Sequence, residues 1–292
     1  MKVKLADRIG FCFGVKRAIT IANSALKANR KVYSLGSIIH NSQVVEKLAE
    51  KGLATIKDLN KAKMPCAILI SSHGAPPSVF EKIRNMGCAV IDTTCPFVLH
   101  AQKLASKMAG EGYALIIVGE KTHPEVKALV GFAGGRARVI KDKREAGKEV
   151  FREGEKAAVI SQTTQTMANY LDVVGVLLNK GPREIRVFNT ICNDTGKRIR
   201  TASLLSGTVD TMIIVGGRHS ANTRRLFEVC RSLNDSYLVE TDKDVMPRWF
   251  RGKRTVGIAS GASTPDWVIE KVVKKIKLER GYVINGEIKN TG

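Results

Sequence analysis

The chain has 292 residues, of which 43% are hydrophobic, and its 48 Lys and Arg against 27 Asp and Glu give a formal charge of +21. This apolar content excludes a disordered chain, because disordered segments combine high charge with too little apolar surface to form a core. No apolar run approaches the roughly 20 residues that span a membrane, and charged residues interrupt the amino terminus where a signal peptide would be apolar. The sequence therefore predicts a globular, cytoplasmic protein without a transmembrane helix.

The positive charge is spread along the whole chain. Residues 1–95, 96–191 and 192–292 carry net charges of +9, +5 and +7. A nucleic-acid-binding arm would concentrate the excess in one tail or on one face, and no stretch interleaves aromatic residues with Lys and Arg as base stacking requires. A solvated basic surface, an anionic substrate and an acidic protein partner all remain compatible with this charge.

Helical and strand patterns alternate along the chain. Apolar residues at helical spacing predict an amphipathic helix over 15–30. Further helices are predicted over 78–86, 98–109, 167–179 and 222–232. Short continuous apolar runs, typical of strands that are buried on both faces, occur at 67–70, 115–118, 157–160, 212–215 and 256–259. The alternation predicts an α/β fold with mainly parallel sheets.

The sequence also repeats part of itself. Asp92-Thr93-Thr94-Cys95 resembles Asn189-Thr190-Ile191-Cys192, ninety-seven residues further on, and Cys12 precedes Cys95 by eighty-three residues. We therefore predict three similar α/β units packed around a shared centre: residues 14–95, residues 96–191, and residues 192–281 with 1–13, followed by a tail over 282–292. Ligands bind beyond the carboxyl ends of parallel strands, so the polar loops that follow the apolar runs form the candidate site.

Six cysteines occur, and none forms a Cys-x-x-Cys pair, which excludes a compact zinc or redox motif. Cys66, Cys88 and Cys230 lie beside apolar runs or on a helix and are expected to be small buried residues, and structural disulfides are not expected in the cytoplasm. The other three lie in turns beside small or turn-forming residues: Cys12, Cys95 and Cys192. Their spacing leaves core residues and metal ligands equally open, because separations this long are not a ligand signature.

Polar residues that suit an anion occur in the loops after the apolar runs. Imidazole, hydroxyl and amide donors, together with N–H groups at helix starts, bind phosphate oxygens. The candidates are His40, His73, His123, Ser220, Asn222 and Ser263. His100 and His219 are expected on the surface. Glu125 is either a proton donor or an ordinary acidic residue in the first turn of a helix, and its spacing favours the second interpretation.

Nine motifs follow one another in order over roughly residues 1–278: Gly-Phe-Cys12-Phe-Gly-Val-Lys-Arg-Ala, Ile-His40-Asn, Ser-His73-Gly, Asp-Thr-Thr-Cys95-Pro, His123-Pro-Glu125-Val, Gln-Thr163-Thr, Asn-Thr-Ile-Cys192, Ser220-Ala-Asn222-Thr-Arg-Arg-Leu and Gly-Ala-Ser263-Thr-Pro-Asp. Together they resemble the 4-hydroxy-3-methylbut-2-enyl diphosphate reductase family, which completes the methylerythritol phosphate route to isoprenoids. An ordered set of motifs is far more specific than any one of its members.

The resemblance implies an oxidoreductase that converts (E)-4-hydroxy-3-methylbut-2-enyl diphosphate to isopentenyl diphosphate and dimethylallyl diphosphate by two-electron reductive dehydroxylation. It implies a 4Fe–4S cluster held by Cys12, Cys95 and Cys192, with one iron open to the substrate hydroxyl. It assigns proton delivery to Glu125 and orientation of the substrate hydroxyl to Thr163.

The resemblance also implies a set of substrate-binding positions: His40, His73, His123, Thr163, Ser220, Ala221, Asn222 and Ser263. One of them departs from the pattern of the family. Many members carry serine where this chain has Ala221, so only the backbone N–H is left to make that contact.

Given the resemblance, the charge of +21 suggests an acidic electron carrier, such as a ferredoxin or flavodoxin, that is attracted electrostatically. Nucleic acid and membrane are not expected as partners. Two other functions are open to test. A basic RNA- or ribosome-associated protein would be colourless and would bind nucleic acid with a steep salt dependence, whereas an iron–sulfur redox sensor would hold a cluster without turning over the substrate.

Overall fold

The computed structural model describes residues 1–28 and 31–278. Within these residues, twelve strands form three four-stranded sheets, and all neighbouring strands run parallel. In chain order the strands are β1 (Lys2–Leu5), β2 (Val32–Leu35), β3 (Leu53–Ile56), β4 (Ala67–Ile70), β5 (Ala89–Asp92), β6 (Ala114–Val118), β7 (Arg138–Ile140), β8 (Lys156–Ser161), β9 (Glu184–Val187), β10 (Thr211–Val215), β11 (Ser236–Val239) and β12 (Thr255–Ser260). The predicted α/β class with parallel sheets is confirmed.

Helices connect the strands. In chain order they are α1 (Phe13–Ala28), α2 (Ser42–Glu50), α3 (Pro77–Asn85), α4 (Pro96–Gly110), α5 (Pro124–Phe132), α6 (Lys143–Ala146), α7 (Met167–Asn179), α8 (Asn193–Ser206), α9 (Ala221–Arg231) and α10 (Asp266–Leu278). Short 3-10 turns occur at Leu59–Lys61, Asp242–Asp244 and Pro247–Phe250. No helix in the described part of the chain is long and apolar enough to cross a membrane.

The three sheets share one strand order, with the third permuted along the chain. Sheet 1 has the order β3-β2-β4-β5, sheet 2 the order β7-β6-β8-β9, and sheet 3 the order β11-β10-β12-β1. The amino-terminal strand β1 thus takes the edge position that β5 and β9 hold in the other sheets. Each of these three edge strands leads into a loop with one cysteine, Cys12, Cys95 or Cys192, and then into a helix.

The chain forms two compact units. One consists of Met1–Phe11 with the chain from Arg198 onward and carries sheet 3, and the other consists of Cys12–Lys197 and carries sheets 1 and 2. The three-unit boundaries at residues 14, 96 and 192 stay a prediction. The predicted tail over 282–292 lies outside the described residues, as do the last two residues of the helix predicted over 15–30.

Sheet 2 illustrates why continuous apolar runs predict central strands. In β6, Ile116 belongs to the apolar cluster that contains Tyr170 of α7, whereas Ile117 belongs to the cluster that contains Ala105 of α4 and Leu129 of α5. Successive side chains of a strand point to opposite faces of the sheet. A strand that is covered by helices on both faces must therefore be apolar at every position.

The predicted strands are interior strands. Among the described residues, five of the six interior strands coincide with predicted apolar runs: β4, β6, β8, β10 and β12. The sixth, β2, is interrupted by the buried Ser34, whose hydroxyl donates to the Gly36 carbonyl at 2.7 Å. Edge strands such as β9 are half exposed and carry charged residues, so no apolar run marks them. The predicted helices agree with α1, α3, α4, α7 and α9 to within two residues at their described ends.

Truncation of Ile117 to alanine should lower the free energy of unfolding by about 2–5 kcal/mol, because the side chain is fully buried and its removal leaves a cavity. Denaturant unfolding followed by circular dichroism measures the change. Leu178→Ala on α7 is the matched control, since its side chain is 52% exposed and its loss should change stability by about 0.5 kcal/mol or less. Equal losses in the two variants would contradict the role of β6 as a core strand.

Candidate functional site

Three thiols of the unit Cys12–Lys197 lie at the amino ends of helices. Cys95 is the N-cap residue of α4, and Cys12 and Cys192 directly precede α1 and α8. The Val15 backbone N–H donates to the Cys12 Sγ at 3.4 Å, and backbone N–H groups in the first turns of α4 and α8 bond to the other two thiols. N–H groups at a helix start favour negative charge, so each helix favours the thiolate form of its cysteine.

Burial opposes the thiolate form at this site. It raises the pKa of Cys95 to about 11, against the lowering effect of the Phe97 N–H, and the nearby Cys12 and Cys192 raise this pKa further. Burial likewise raises the pKa of Cys192. Cys12 and Cys192 both lie close enough to Cys95 to raise its pKa, and a metal ion bound among them would favour the thiolate forms by coordinating them.

Gly14 lies against these thiols. A Cβ at this position would lie 2.6 Å from the Cys95 Sγ and 3.9 Å from the Cys12 Sγ. Only glycine therefore lets α1 approach Cys95 so closely. Three soft thiolates, each beside the start of a helix, are a donor set that fits an iron–sulfur cluster with fewer than four protein ligands.

The loops that lead into α4 and α8 are built by the same turn. The Asp92 carboxylate accepts the Thr94 N–H at 2.8 Å, and the Asn189 side-chain oxygen accepts the Ile191 N–H at 3.1 Å. The repeat seen in the sequence is thus a repeated Asx turn at the ends of two edge strands. The sequence pattern alone does not assign this turn role to Asp92 or Asn189. The signal that could have found them is an Asp or Asn three residues before a cysteine that starts a helix.

Three imidazoles cluster in the same unit, after the carboxyl ends of β2, β4 and β6. The ring centroids of His40 and His73 are 4.3 Å apart, and that of His123 lies 5.6 Å from His40 and 5.4 Å from His73. Burial lowers the pKa of His73 well below its usual value, and the neighbouring His40 and His123 lower it further. The arrangement therefore favours a neutral ring at His73.

Neutral imidazoles suit either a metal ion or an anion. One ring nitrogen from each of His40, His73 and His123 lies within 4.8 Å of the others, a spacing that a metal ion could use. However, the Nδ1 of His123 accepts the Glu125 backbone N–H at 3.2 Å. The neutral ring then carries its proton on Nε2, which makes that nitrogen a donor. This tautomer favours an anionic oxygen over a metal ion.

Glu125 is the acidic residue of this unit's site. It lies in the first turn of α5, as its spacing predicts, but it is only 1% exposed. Its carboxylate accepts the Thr163 N–H at 2.6 Å and the Thr163 hydroxyl at 2.8 Å. Burial raises the pKa of Glu125 to about 7 against the lowering effect of these two bonds. A carboxyl group with this pKa can donate a proton near neutral pH.

Backbone hydrogen bonds tie two of the cysteines to the loops that carry Thr163 and His73. The Thr163 carbonyl, on the residue that holds Glu125, accepts the Cys192 N–H at 2.8 Å. The carbonyl of Ser72, next to His73, accepts the Cys95 N–H at 3.0 Å. Each of these two cysteines is therefore fixed to a loop that carries another candidate residue.

The remaining candidates lie in the other unit. Ser220 is the N-cap residue of α9 and its hydroxyl accepts the Thr223 N–H at 3.3 Å, whereas Ser263 lies in the loop after β12. Asn222, in the first turn of α9, is 6% exposed, and neither amide atom of its side chain has a hydrogen-bond partner in the described part of the chain. A buried unpaired amide is costly, and an anion at the helix start would give it a partner. Ala221 is also buried and can offer only its backbone N–H.

Within Cys12–Lys197 the structure clusters the three imidazoles, joins Glu125 to Thr163 by two hydrogen bonds, and places each of the three cysteines at the start of a helix. It places the four predicted residues of α9 and of the loop after β12 in the other unit. His100 and His219 are exposed, as predicted.

Known proteins resemble the chain over nearly its whole length. The sequence profile of a family described as LytB protein matches residues 3–277. A 4-hydroxy-3-methylbut-2-enyl diphosphate reductase from Geobacter metallireducens is 42% identical over 278 residues, which cover 95% of this chain and 97% of that protein. The protein of the same name from Aquifex aeolicus is 41% identical, with coverage of 94% and 95%.

Two solved structures share the fold. One is an (E)-4-hydroxy-3-methyl-but-2-enyl diphosphate reductase, described as the terminal enzyme of the non-mevalonate pathway, which is 40% identical with a TM-score of 0.70 and coverage of 95% of this chain and 100% of that one. The other is the E-1-hydroxy-2-methyl-but-2-enyl-4-diphosphate reductase from Plasmodium falciparum, which is 28% identical with a TM-score of 0.91 and coverage of 94% and 88%. With its sequence profile, its relatives and its fold in agreement, the chain belongs to the LytB protein family.

Proposed function

We propose that this protein is a reductase that removes the hydroxyl group of (E)-4-hydroxy-3-methylbut-2-enyl diphosphate and forms isopentenyl and dimethylallyl diphosphate. The observation that carries the proposal is the run of backbone and side-chain hydrogen bonds that links the residues His123, Glu125, Thr163 and Cys192, because it holds an imidazole, a buried acid and a cysteine in fixed positions within one unit. Relatives that bear the name of this activity and are about 40% identical over nearly the whole chain support the same substrate.

The reaction breaks one C–O bond, takes up two electrons and two protons, and releases the hydroxyl group as water. When bound, an iron–sulfur cluster supplies electrons one at a time and a Lewis-acidic iron for the substrate hydroxyl. We assign Cys12, Cys95 and Cys192 as its ligands. The N–H groups of the helix starts stabilise these thiolates, and Gly14 leaves the space in which they converge.

Glu125 is the proposed proton donor. Because burial holds its pKa at about 7, the carboxylic acid form is populated at neutral pH. The two hydrogen bonds from Thr163 hold the carboxyl group in one orientation. We assign the Thr163 hydroxyl to orient the hydroxyl group of the substrate, since it already lies within hydrogen-bond distance of the acid.

The diphosphate is proposed to bind the three clustered imidazoles of His40, His73 and His123. A neutral His123 ring that accepts the Glu125 N–H on Nδ1 carries its proton on Nε2, and an imidazole N–H of this kind donates to phosphate oxygens. The same role is proposed for Ser220, Ala221, Asn222 and Ser263 of the other unit. The buried Asn222 amide supports this assignment, because its two polar atoms lack partners in the described structure.

The electrons are proposed to come from a small acidic carrier such as a ferredoxin or a flavodoxin. The charge of +21 favours an acidic partner. The donors assigned to the diphosphate are mostly neutral, so the substrate does not account for a positive excess that extends along the whole chain. Docking of such a carrier is electrostatic and weakens as salt screens the charges.

An anaerobic assay of the cluster-loaded protein with the allylic diphosphate and a chemical reductant tests the function. The wild type is expected to form both five-carbon products, which chromatography separates. Glu125→Gln should lose turnover by about 100-fold or more while retaining iron, because the substitution removes the proton and keeps the shape of the side chain.

Glu81→Gln is the matched control, since it removes an exposed carboxylate on α3 and should leave turnover unchanged. Near-normal turnover of Glu125→Gln would contradict the role of Glu125 as donor. A wild-type protein that holds a cluster without turning over the substrate would favour a redox sensor. A colourless protein with salt-dependent affinity for nucleic acid would favour an RNA-associated role.

The raised pKa of Glu125 also makes the stability of the fold depend on pH. Below the ordinary carboxyl pKa of 4.5 this residue is protonated in both the folded and the unfolded state, whereas between 4.5 and about 7 the folded state binds more protons. Rising pH through this window therefore lowers the free energy of unfolding of the wild type. Glutamine does not titrate. The free energy of unfolding of Glu125→Gln, measured relative to that of the wild type, should therefore rise by up to about 3 kcal/mol between acid and mildly alkaline pH. Denaturant unfolding across this range measures the difference, and a difference that does not vary with pH would contradict the protonated state.

Replacement of Cys95 by serine is expected to deplete the bound iron and the visible absorption of the anaerobically prepared protein, because a hydroxyl is a poorer ligand than a thiolate for an iron–sulfur cluster. Iron analysis per chain measures the loss. Cys230→Ala, which removes a buried thiol from the core around α9, should retain wild-type iron. An iron-replete and fully active Cys95→Ser variant would refute Cys95 as a ligand.

A further inference from the structure

A second group of sulfur atoms lies in the unit Cys12–Lys197, separate from the three thiols at the helix starts. Cys66 and Cys88 directly precede β4 and β5, which pair in parallel with Ala67 opposite Ala89. The Ala89 N–H donates to the Cys66 carbonyl at 3.1 Å, so the two cysteines are neighbours across the ladder. Their Sγ atoms are 2.7 Å apart, and the Met64 Sδ lies 3.7 Å from the Cys66 Sγ and 3.2 Å from the Cys88 Sγ.

The contact between the two sulfurs is compatible with a disulfide bond. Paired strands lie about 4.8 Å apart, which is within the Cα separation of about 4.4–6.8 Å that disulfides span. Neighbours in parallel register point to the same face of the sheet, and the contact between the Cys66 and Cys88 sulfurs agrees with that rule. An S–S bond of about 2.05 Å would bring the sulfurs less than about 1 Å closer. The sulfur atoms therefore need only a small displacement to form the bond.

Solvent can reach one member of the pair. Sequence analysis predicts three small buried cysteines, and this is correct for Cys88 and Cys230 but wrong for Cys66, which is partly exposed. Cys66 lies at the open end of a strand rather than within it, and this position explains the exposure. Met64 beside it is 45% exposed and can move aside without disturbing the core.

We propose that Cys66 and Cys88 are a site of reversible oxidation, at which a low-molecular-weight disulfide such as glutathione disulfide converts the two thiols to a disulfide bond. The Cys66 thiolate attacks the external disulfide and releases one glutathione, and the Cys88 thiolate then attacks the mixed disulfide and releases the second. The protein loses two electrons and two protons, and two glutathione molecules carry them away.

The bond joins two strands that lead to the candidate active site. The carboxyl end of β4 leads into the loop with His73, and that of β5 leads into the loop with Cys95. Because Cys66 and Cys88 lie at the amino ends of these strands, oxidation changes no residue that we assign to substrate or cluster. A cross-link between them reduces the conformational freedom of the unfolded chain and so stabilises sheet 1.

The environment of Cys66 determines how fast the pair reacts. Burial and the hydrogen bond to Cys88 raise the pKa of Cys66 to about 11, whereas the charge of Lys31 opposes this shift. Thiolate is therefore scarce at neutral pH, and exchange with glutathione disulfide is slower there than at alkaline pH. The sequence predicts a cytoplasmic protein, in which permanent structural disulfides are not expected. A bond that forms only under oxidising conditions is compatible with that prediction.

The test equilibrates the cluster-loaded protein anaerobically with glutathione disulfide at alkaline pH, then denatures it, alkylates the free thiols and measures the mass of the chain. Before oxidation all six cysteines should be alkylated. After oxidation two fewer should be alkylated, and peptide mapping should join Cys66 to Cys88. Iron content should stay at its starting value, because the cysteines assigned to the cluster take no part.

Two variants and one control complete the test. Cys66→Ala should lose the internal bond, Cys88→Ala should do the same and instead retain glutathione on Cys66, and Cys230→Ala should behave as wild type. If Cys88→Ala fails to fold, Cys66→Ala still tests the proposal, because residue 66 is partly exposed and its substitution should be tolerated. Oxidation should raise the thermal midpoint of unfolding of the wild type and leave that of Cys66→Ala unchanged. Six alkylated cysteines after equilibration, or a bond that joins a different pair, would overturn the proposal.

Discussion

Parallel pairing of the strands determines which loops of the candidate site lie next to one another. All strands of a parallel sheet end at the same edge, so the loops that follow them must be neighbours whatever their separation along the chain. In sheet 1 this brings the Cys95 loop against Ser72, and in sheet 2 it brings Thr163 against Glu125, thirty-eight residues away. The pairing is maintained by interior strands that are buried on both faces, as Ile116 and Ile117 illustrate.

The edge strands β1, β5 and β9 are each followed by a cysteine at the start of a helix, and this position affects the charge of the thiol. Backbone N–H groups at the helix starts bond to the sulfurs of Cys12, Cys95 and Cys192 and favour negative charge there, yet burial raises the pKa of both Cys95 and Cys192. The two effects oppose each other in the protein alone. A metal ion held by these cysteines would remove the conflict, because it would replace the protons and leave the N–H groups to stabilise the thiolates. The thiols are therefore suited to metal ligation rather than to a role as free nucleophiles.

The two ends of sheet 1 hold cysteines in different chemical settings. At the carboxyl ends of its strands, Cys95 belongs to a group of three thiols gathered from distant parts of the chain. At the amino ends, Cys66 and Cys88 meet as neighbours on adjacent strands with a thioether beside them. Three convergent thiols suit a multinuclear centre, whereas two thiols in contact across a ladder suit a bond to each other.

The sequence alone predicts the α/β class, the interior strands other than β2, and the residues proposed for the candidate site. Burial on both faces imposes a continuous apolar run, and an ordered set of motifs identifies a family. The sequence did not reveal the edge strands, because half-exposed strands such as β9 carry charged residues and leave no apolar signal.

The contacts between candidate residues, and the protonation that these contacts favour, became visible only in the folded structure. The burial that raises the pKa of Glu125, the bond that fixes the tautomer of His123, and the contact between Cys66 and Cys88 all depend on how strands and helices pack. From its spacing, Glu125 is predicted to be an ordinary acidic residue in the first turn of a helix. From its place beside an apolar run, Cys66 is predicted to be a buried core residue. Solvent exposure and long-range hydrogen bonds distinguish these residues, and both are properties of the packed chain that local sequence does not encode.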